Sequence, residues 1–444
     1  MLARSSVENR MILIGKGLFK LSCILLALSL LWGLLRFGAT EAVCQYSLFL
    51  LLTIAALAVL FSCPIHPLSR PRLLFLAAGT FLLAQTTIQG PFHGSGYLTA
   101  SLGWLVFFLT FTLTKQQPTV IKPLILLLIL LAGIETCIGL IQSIGGVDYI
   151  GSYHRGLGRE ATGTFINHNH FAGFLNMVIP LAVGVLFFGF STRVRKHGLQ
   201  SEVYSWVWIG IIGVSLMALA IFLSLSRAGS ATLLGTLAFL AALILITRRR
   251  RSQRTFSSII PVVIILLSLL LAFGLGLDAL MTRFSRLEGS WQDRSTVYRD
   301  TLRLISDNPL AGIGPGMYQW RFRSYQTLSA ATWWKHAHSD YLQVAAEWGI
   351  PAALMFWGFV VWSLCKSVRG FLVARSAWGK GILLGTAGAI VSILIHGLVD
   401  FNLHIPANLM VFCVFLGLVW RLDQARPERA LYPQNEEISP SYAG

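Results

Sequence analysis

The chain is short of charge, and of negative charge above all. Only 12% of its 444 residues are charged, and Asp and Glu together number 18. A soluble domain covers its surface with about 25% charged residues, so a water-soluble enzyme of this size is excluded. The six cysteines, Cys23, Cys44, Cys63, Cys137, Cys365 and Cys413, sit within or at the ends of apolar runs without CxxC spacing. They give neither a disulfide framework nor a zinc site. No internal repeat and no low-complexity tract is present. The first apolar run lacks a small-residue cleavage site, so it reads as a retained helix and not as a removed signal peptide.

What the chain has is length of apolar run. Hydrophobic residues make up 55% of it. A bilayer core about 30 Å thick asks for roughly 20 apolar residues per helix. Twelve stretches meet that need: 12–35, 43–63, 72–89, 96–114, 122–145, 169–190, 204–225, 229–247, 257–279, 341–365, 380–398 and 405–420. The expected fold is an all-α polytopic membrane protein of about twelve transmembrane helices. Residues 1–160 supply the first five, and 161–423 hold the remaining spans with a long loop at 280–340. Residues 424–444 form a polar, loose tail.

The net charge is +17. In a soluble chain that would suggest nucleic acid as partner. Here the basic residues fall in short clusters between apolar spans, where they set topology and meet lipid head groups. With the N-terminus inside, 23 of the 35 Lys and Arg lie in inward segments, among them Arg193, Arg195, Lys196, Arg248 to Arg251, and Arg421. Both termini are then cytoplasmic. Twelve basic residues remain outward. They are Arg36, Arg155, Arg159, Arg227 and eight in the 280–340 loop, including Arg294, Arg299, Arg321 and Arg323. A basic outward loop in a chain that otherwise obeys the charge rule points to an anionic ligand there.

That loop has internal order. Arg294 to Ser306 shows helical spacing, with Val297, Leu302 and Ile305 apolar, and Asn308-Pro309 stops it. GIGPG, 312–316, is a tight turn. It lacks the Lys-Ser/Thr of a phosphate loop. Aromatic and basic residues follow, as befits the membrane–water interface. His338, at the start of the tenth span, titrates in the physiological range and can accept a proton. It also fits an interfacial histidine bonded to a neighbour, and His336 competes for either role. Arg227 in LSLSRAGS is either a snorkelling or paired arginine, or a clamp whose fork matches phosphate oxygens. In TGTFINHNHFAGFL, 162–175, His168 and His170 point to different faces and make a weak metal pair, while Asn167 or Asn169 suits a helix cap. GLVDFNLHIPAN, 397–408, brings Asp400 and His404 outward, where Asp400 could orient a base or pair with an arginine. Glu135 is the clearest buried acid, without an obvious basic partner.

Taken together, TGTFINHNHFAGFL, LSLSRAGS, DRSTVYRDTLRLISDNPLAGIGPGMY, HAHSDYLQVAAEWGIP and GLVDFNLHIPAN resemble the O-antigen ligase/polymerase superfamily of bacteria, in the expected order over about 160–410. The resemblance implies a GT-C-type fold and an active site on the periplasmic face of the inner membrane. It implies a glycan donor linked to undecaprenyl diphosphate and, as acceptor, lipid A-core for a ligase or a second carrier-linked glycan for a polymerase. No nucleotide sugar, metal or other cofactor is implied. His338 matches the family histidine as general base, with Ser339 where asparagine is common. Arg227 matches the arginine of the SRxG-like segment, and Arg294 that of the loop helix. Arg299 and Arg159 are further candidates for the diphosphate, with Asp340, Asp400 and Asn169 in support. A transporter of lipid-linked glycans is the reading from another class. It would ask for mid-membrane charges and related halves.

Overall fold

The computed structural model describes residues 2–62, 79, 95–197, 201–249 and 287–423, apart from 152, 157 and 329–332. The expected spans at 72–89 and 257–279 and the tail 424–444 lie outside the described residues. The helices run in this order: α1 Leu2–Leu35, α2 Ala42–Ser62, α3 Ser95–Gln116, α4 Ile121–Gly145, α5 His168–His197, α6 Ser201–Leu223 and α7 Arg227–Arg249. Then come α8 Leu287–Asp307, the short α9 Tyr318–Arg321, α10 Asp340–Val373, α11 Ala377–His396 and α12 Pro406–Asp423. A two-residue hairpin, Tyr149–Ile150 against Tyr153–His154, sits in the connection before α5. Eight of the helices are long and apolar enough to cross a membrane, and Val207–Leu223 and Pro406–Leu422 are shorter apolar helices. The chain is an all-α polytopic membrane protein.

The centre of the bundle is the α5–α11 pair, whose spans are the most enclosed of all. Bilayer lipid is as apolar as leucine, so helices there associate through close packing and not through water release. Small residues provide it. A Cβ on Gly381 would stand 2.6 Å from the Gly184 carbonyl oxygen, and one on Gly388 would stand 2.5 Å from Pro180 Cβ. Gly385 faces the Leu181 backbone in the same way. This seam aligns one end of both helices, which carries His168, His170 and His396.

Inside hydrocarbon each freed backbone group needs a partner, and α10 shows how a break is tolerated. Gly349 adopts φ 81°, ψ 162° within it, and Pro351 follows. The carbonyls released at the break are taken by the GIGPG turn: Ile313 N–H donates to Ala346 O at 2.9 Å and Gly314 N–H to Glu347 O at 3.0 Å. Ile350 N–H donates in return to Pro309 O at 2.8 Å. The glycine-rich segment is thus a structural turn that docks the loop onto α10. α10 starts where expected but runs eight residues past the expected end at 365, to Val373.

Loop helix α8 begins seven residues before the expected start at Arg294 and ends at Asp307, just ahead of Asn308-Pro309. Its apolar face, with Val297, Leu304 and Ile305, packs on Tyr318, Phe322 and Ala346 in a separate small core. Glu135 of α4 accepts from Thr164 N–H at 2.8 Å and lies 2.6 Å from the Thr164 hydroxyl, which ties down the segment leading into α5. Arg155 does the same for the hairpin connection. Its buried guanidinium donates to the carbonyls of Val147, Gly158 and Glu160 and pairs with Asp148 at 3.2 Å. One of the outward arginines is therefore structural.

The glycine seam gives a first prediction. Gly381→Ala should cost about 1–3 kcal/mol by overpacking, seen as a lower thermal midpoint of the purified protein in detergent. Gly213→Ala is the control, because a Cβ there meets nothing within 4 Å, and its midpoint should not fall.

Candidate functional site

Arg227 owes its position to a relay of small polar groups. Asn167 opens α5, its Oδ1 accepting from Asn169 N–H at 2.8 Å, as a helix cap should. Asn169 Oδ1 in turn accepts from the Ser226 hydroxyl at 2.6 Å. Ser226 Oγ accepts from Gly229 N–H at 3.0 Å, capping α7, whose first residue is Arg227. Leu225 just before it takes a left-handed φ of 57°. Asn169 therefore acts on Arg227 through the cap, and Arg227 stands at a helix N-terminus, where the backbone itself favours an anion.

Arg294 arrives from α8. Its Nη1 donates to Val399 O at 3.0 Å. One turn on, Tyr298 OH donates to His338 O at 2.8 Å and reaches Leu398 O at 3.4 Å. Burial raises the Tyr298 phenol above its ordinary value, so it stays a donor. Together these two side chains fasten α8 to the turns at 338 and 397–400. Arg294 lies close enough to act electrostatically on Arg227, His168, His338, His396 and Asp400. The charges predicted to flank a diphosphate thus converge from α7 and α8, far apart in sequence.

His338 is held in a strained backbone, with φ 52°. A non-glycine residue in that region is uncommon and costs energy, and such residues gather at functional sites. Its ring lies edge-on to Trp334 at 5.4 Å and to Phe401 at 5.0 Å. Its Nδ1 is buried with no hydrogen-bond partner among the described residues. Burial and the Arg294 charge lower its pKa to about 4, so the imidazole is neutral at pH 7. Ser339, where the family pattern has asparagine, caps α10 by accepting from Leu342 N–H at 3.5 Å, and its hydroxyl donates to Gly397 O at 3.2 Å.

The predicted support is distributed differently from what sequence adjacency suggests. Asp340 follows His338 closely but serves His404: its Oδ1 is 3.0 Å from His404 Nδ1 and it accepts from Leu403 N–H. Asp400 is buried beside His396, with 3.8 Å between Oδ2 and Nε2, and burial pushes its pKa up to about 7. His168 Nδ1 pairs with Glu160 Oε2 at 2.9 Å, while His170 turns to the Phe401 ring, so the two histidines do go separate ways. Arg299 is exposed. It lies five residues from Arg294, about 140° around the helix, and does not share its face. Arg159 is also exposed, near Gly146 at the end of α4.

Three contributors escaped the sequence. Tyr298 could have been found from its i+4 spacing to Arg294, which puts both on one helix face. His396 hides in an apolar run, although it stands four residues before Asp400. Phe401 gave no signal, yet His336, His338 and His170 all pack on its ring, at 4.0, 5.0 and 4.8 Å. Among the described residues, His338 Nδ1 and His170 Nε2 beside that ring, both nitrogens of His396, and Asp400 Oδ1 are buried without hydrogen-bond partners. Native interiors keep few such groups, and a cluster of them marks a place built for something other than stability.

Residues 212–357 match a family model described as O-antigen ligase. A comparison with curated proteins gives no match. The matched stretch contains Arg227, Arg294 and His338, and it ends before Asp400 and His404. It covers about a third of the sequence, from within α6 through the loop to the kinked α10. Over that stretch the chain is similar to the O-antigen ligase family.

Proposed function

We propose that the protein is a glycosyltransferase of the inner membrane that moves a glycan from undecaprenyl diphosphate to an acceptor hydroxyl on the periplasmic side. The acceptor for a ligase is lipid A-core. Both termini then lie in the cytoplasm, and the end of the bundle that carries Arg227, Arg294 and His338 faces the periplasm. The observation that carries the reading is that Arg294 of α8 lies within electrostatic reach both of Arg227 of α7 and of a neutral, left-handed histidine.

The chemistry follows from charge. Arg227 and Arg294 grip the diphosphate and stabilise the negative charge that grows on it as the anomeric C–O bond breaks. The acceptor hydroxyl attacks the anomeric carbon from the opposite side, and its proton passes to His338. Undecaprenyl diphosphate leaves, and the anomeric configuration inverts. A base with pKa of about 4 is weak, and the field of Arg294 is one reason for it. A bound diphosphate offsets that field and raises the basicity of His338 when the donor is in place. The base is thereby switched on by the substrate that needs it.

His338→Asn separates fold from chemistry, because asparagine also tolerates the left-handed region. It should insert and accumulate like the wild type while transfer falls by about 10²-fold or more. An active variant at normal levels removes His338 from the mechanism. Membrane lipopolysaccharide from a deletion strain complemented with each form distinguishes the acceptors. Loss of all long chains on the core marks a ligase, and core bearing a single repeat marks a polymerase.

The pH dependence carries a sign. Protonation of His338 abolishes its role as base, so the rate falls as pH drops through its pKa. In kcat/KM, which reports the free enzyme, that limb should lie near pH 4. In kcat it should lie at higher pH, because the bound diphosphate raises the same pKa. Coincident limbs would contradict the coupling. Asp400→Asn is the control for the second group that titrates nearby, and the separation should persist in it.

A further inference from the structure

A cavity of about 630 Å³ opens between α3, α10 and α12. Its deep walls are apolar, formed by Phe107, Phe359, Leu409, Cys413 and Leu416. From Pro406 to Leu416 along α12 the lining runs about 15 Å at 1.5 Å per residue, the thickness of one leaflet of a core about 30 Å deep. A hydrocarbon chain anchored at the outward surface has that reach.

The mouth has a different character. His336, Gln343, Glu347, Trp348 and His404 line it, with exposed Lys335 at the rim. Glu347 is buried, with Oε1 accepting from Gln343 Nε2 at 3.1 Å and Oε2 from Gly316 N–H at 3.0 Å. His404 Nε2 lies 3.9 Å from Glu347 Oε2, and its Nδ1 is fixed by Asp340. Burial lowers the His404 pKa, but the bond to Asp340 and the Glu347 charge outweigh it and raise it overall. The carboxylate of Glu347 lines this end and offers a diphosphate no donor, and Arg227 and Arg294 are not among the lining residues. A carboxylate, an amide, imidazoles and the face of an indole are what sugar hydroxyls bond to and stack on. His336 lines this mouth and stacks on Phe401, whose ring also meets His338. The cavity therefore ends one aromatic ring away from His338.

We propose that this cavity is the acceptor's own subsite. It takes the hydrocarbon chain of a sugar-bearing lipid, with the head group at Glu347 and His404 and its reacting hydroxyl presented past Phe401 to His338. The role in transfer rests on the function proposed above, but binding does not.

The test uses the purified full chain in nanodiscs and an alkyl glucoside carrying a photoreactive diazirine on its chain, with labelled peptides mapped by mass spectrometry. Labelling of α3, α10 and α12 should saturate. Unlabelled alkyl glucoside should displace it and undecaprenyl diphosphate should not. Ala352→Trp, which fills the cavity, should lower labelling at least tenfold, and Glu347→Gln should lower it several-fold at unchanged chain length. Labelling that never saturates, or that spreads over all lipid-facing helices, overturns the proposal. Displacement by undecaprenyl diphosphate also overturns it and assigns the cavity to the donor. Should Ala352→Trp not fold, the displacement series on the wild type decides alone. Glycan transfer measured on the same sample keeps the two readings apart: transfer without saturable labelling sinks only the subsite, and labelling without transfer sinks only the transferase.

Discussion

The end of the bundle that carries His338 and Asp400 depends on how it satisfies backbone groups where two helices stop short. The segments at 338–339 and 397–401 are neither helix nor sheet, and water cannot be counted on to serve them. Asp340 N–H turns to the carbonyls of Gly397 and Asp400, at 2.9 and 3.0 Å. Tyr298 and Arg294 reach in from α8 for the carbonyls of His338 and Val399. An amphipathic helix outside the membrane core thus completes turns that belong to helices inside it. The same bonds that satisfy the backbone bring Arg294 to His338, so positioning and stability are one device here. A hydrogen bond of this kind contributes only about 1 kcal/mol net, but leaving the buried carbonyl bare costs more.

Much of the architecture was legible because hydrocarbon imposes a length rule. Ten of the expected spans coincide with apolar helices in the expected order, although α5 and α10 run on past their expected ends. The helix in the loop was legible from its spacing and its Asn-Pro stop, and GIGPG was legible as a turn. What the sequence hid was pairing across distance. Asp340 stands beside His338 in the chain, yet a helix start turns successive side chains by about 100°, and Asp340 ends on His404. Arg155 and Arg227 look alike as outward arginines. Only the folded chain separates them, one wrapped in backbone carbonyls and the other at a helix cap beside Arg294. Arg299 was read as a companion of Arg294, and the helix phase puts it elsewhere. Phe401 could not be seen at all, because an aromatic residue near a membrane surface is the ordinary case.

Phe401 divides two kinds of chemistry. Where α7 and α8 meet, positive charge is concentrated. At the mouth of the cavity, carboxylates and imidazoles form a bonded chain from His336 through Gln343 to Glu347. A reaction that joins an anionic carrier to a hydroxyl-bearing lipid needs such a division, since each partner would be repelled or poorly bound in the other's place. The family match takes in Arg227, Arg294 and His338 on one side and His336, Gln343 and Glu347 on the other, and stops before Phe401 and His404.

The glycine seam between α5 and α11 has a thermal consequence. Glycine has no side-chain rotamers, so docking along Gly184, Gly381 and Gly385 freezes none. Elsewhere in the bundle, leucines and phenylalanines surrender rotamer freedom when they pack, and heating restores the advantage of letting go. The seam has little of that entropy to recover. As temperature rises, the pair carrying His168, His170 and His396 should be the last contact to separate, and the peripheral helices should loosen around a histidine-bearing axis that is still in register.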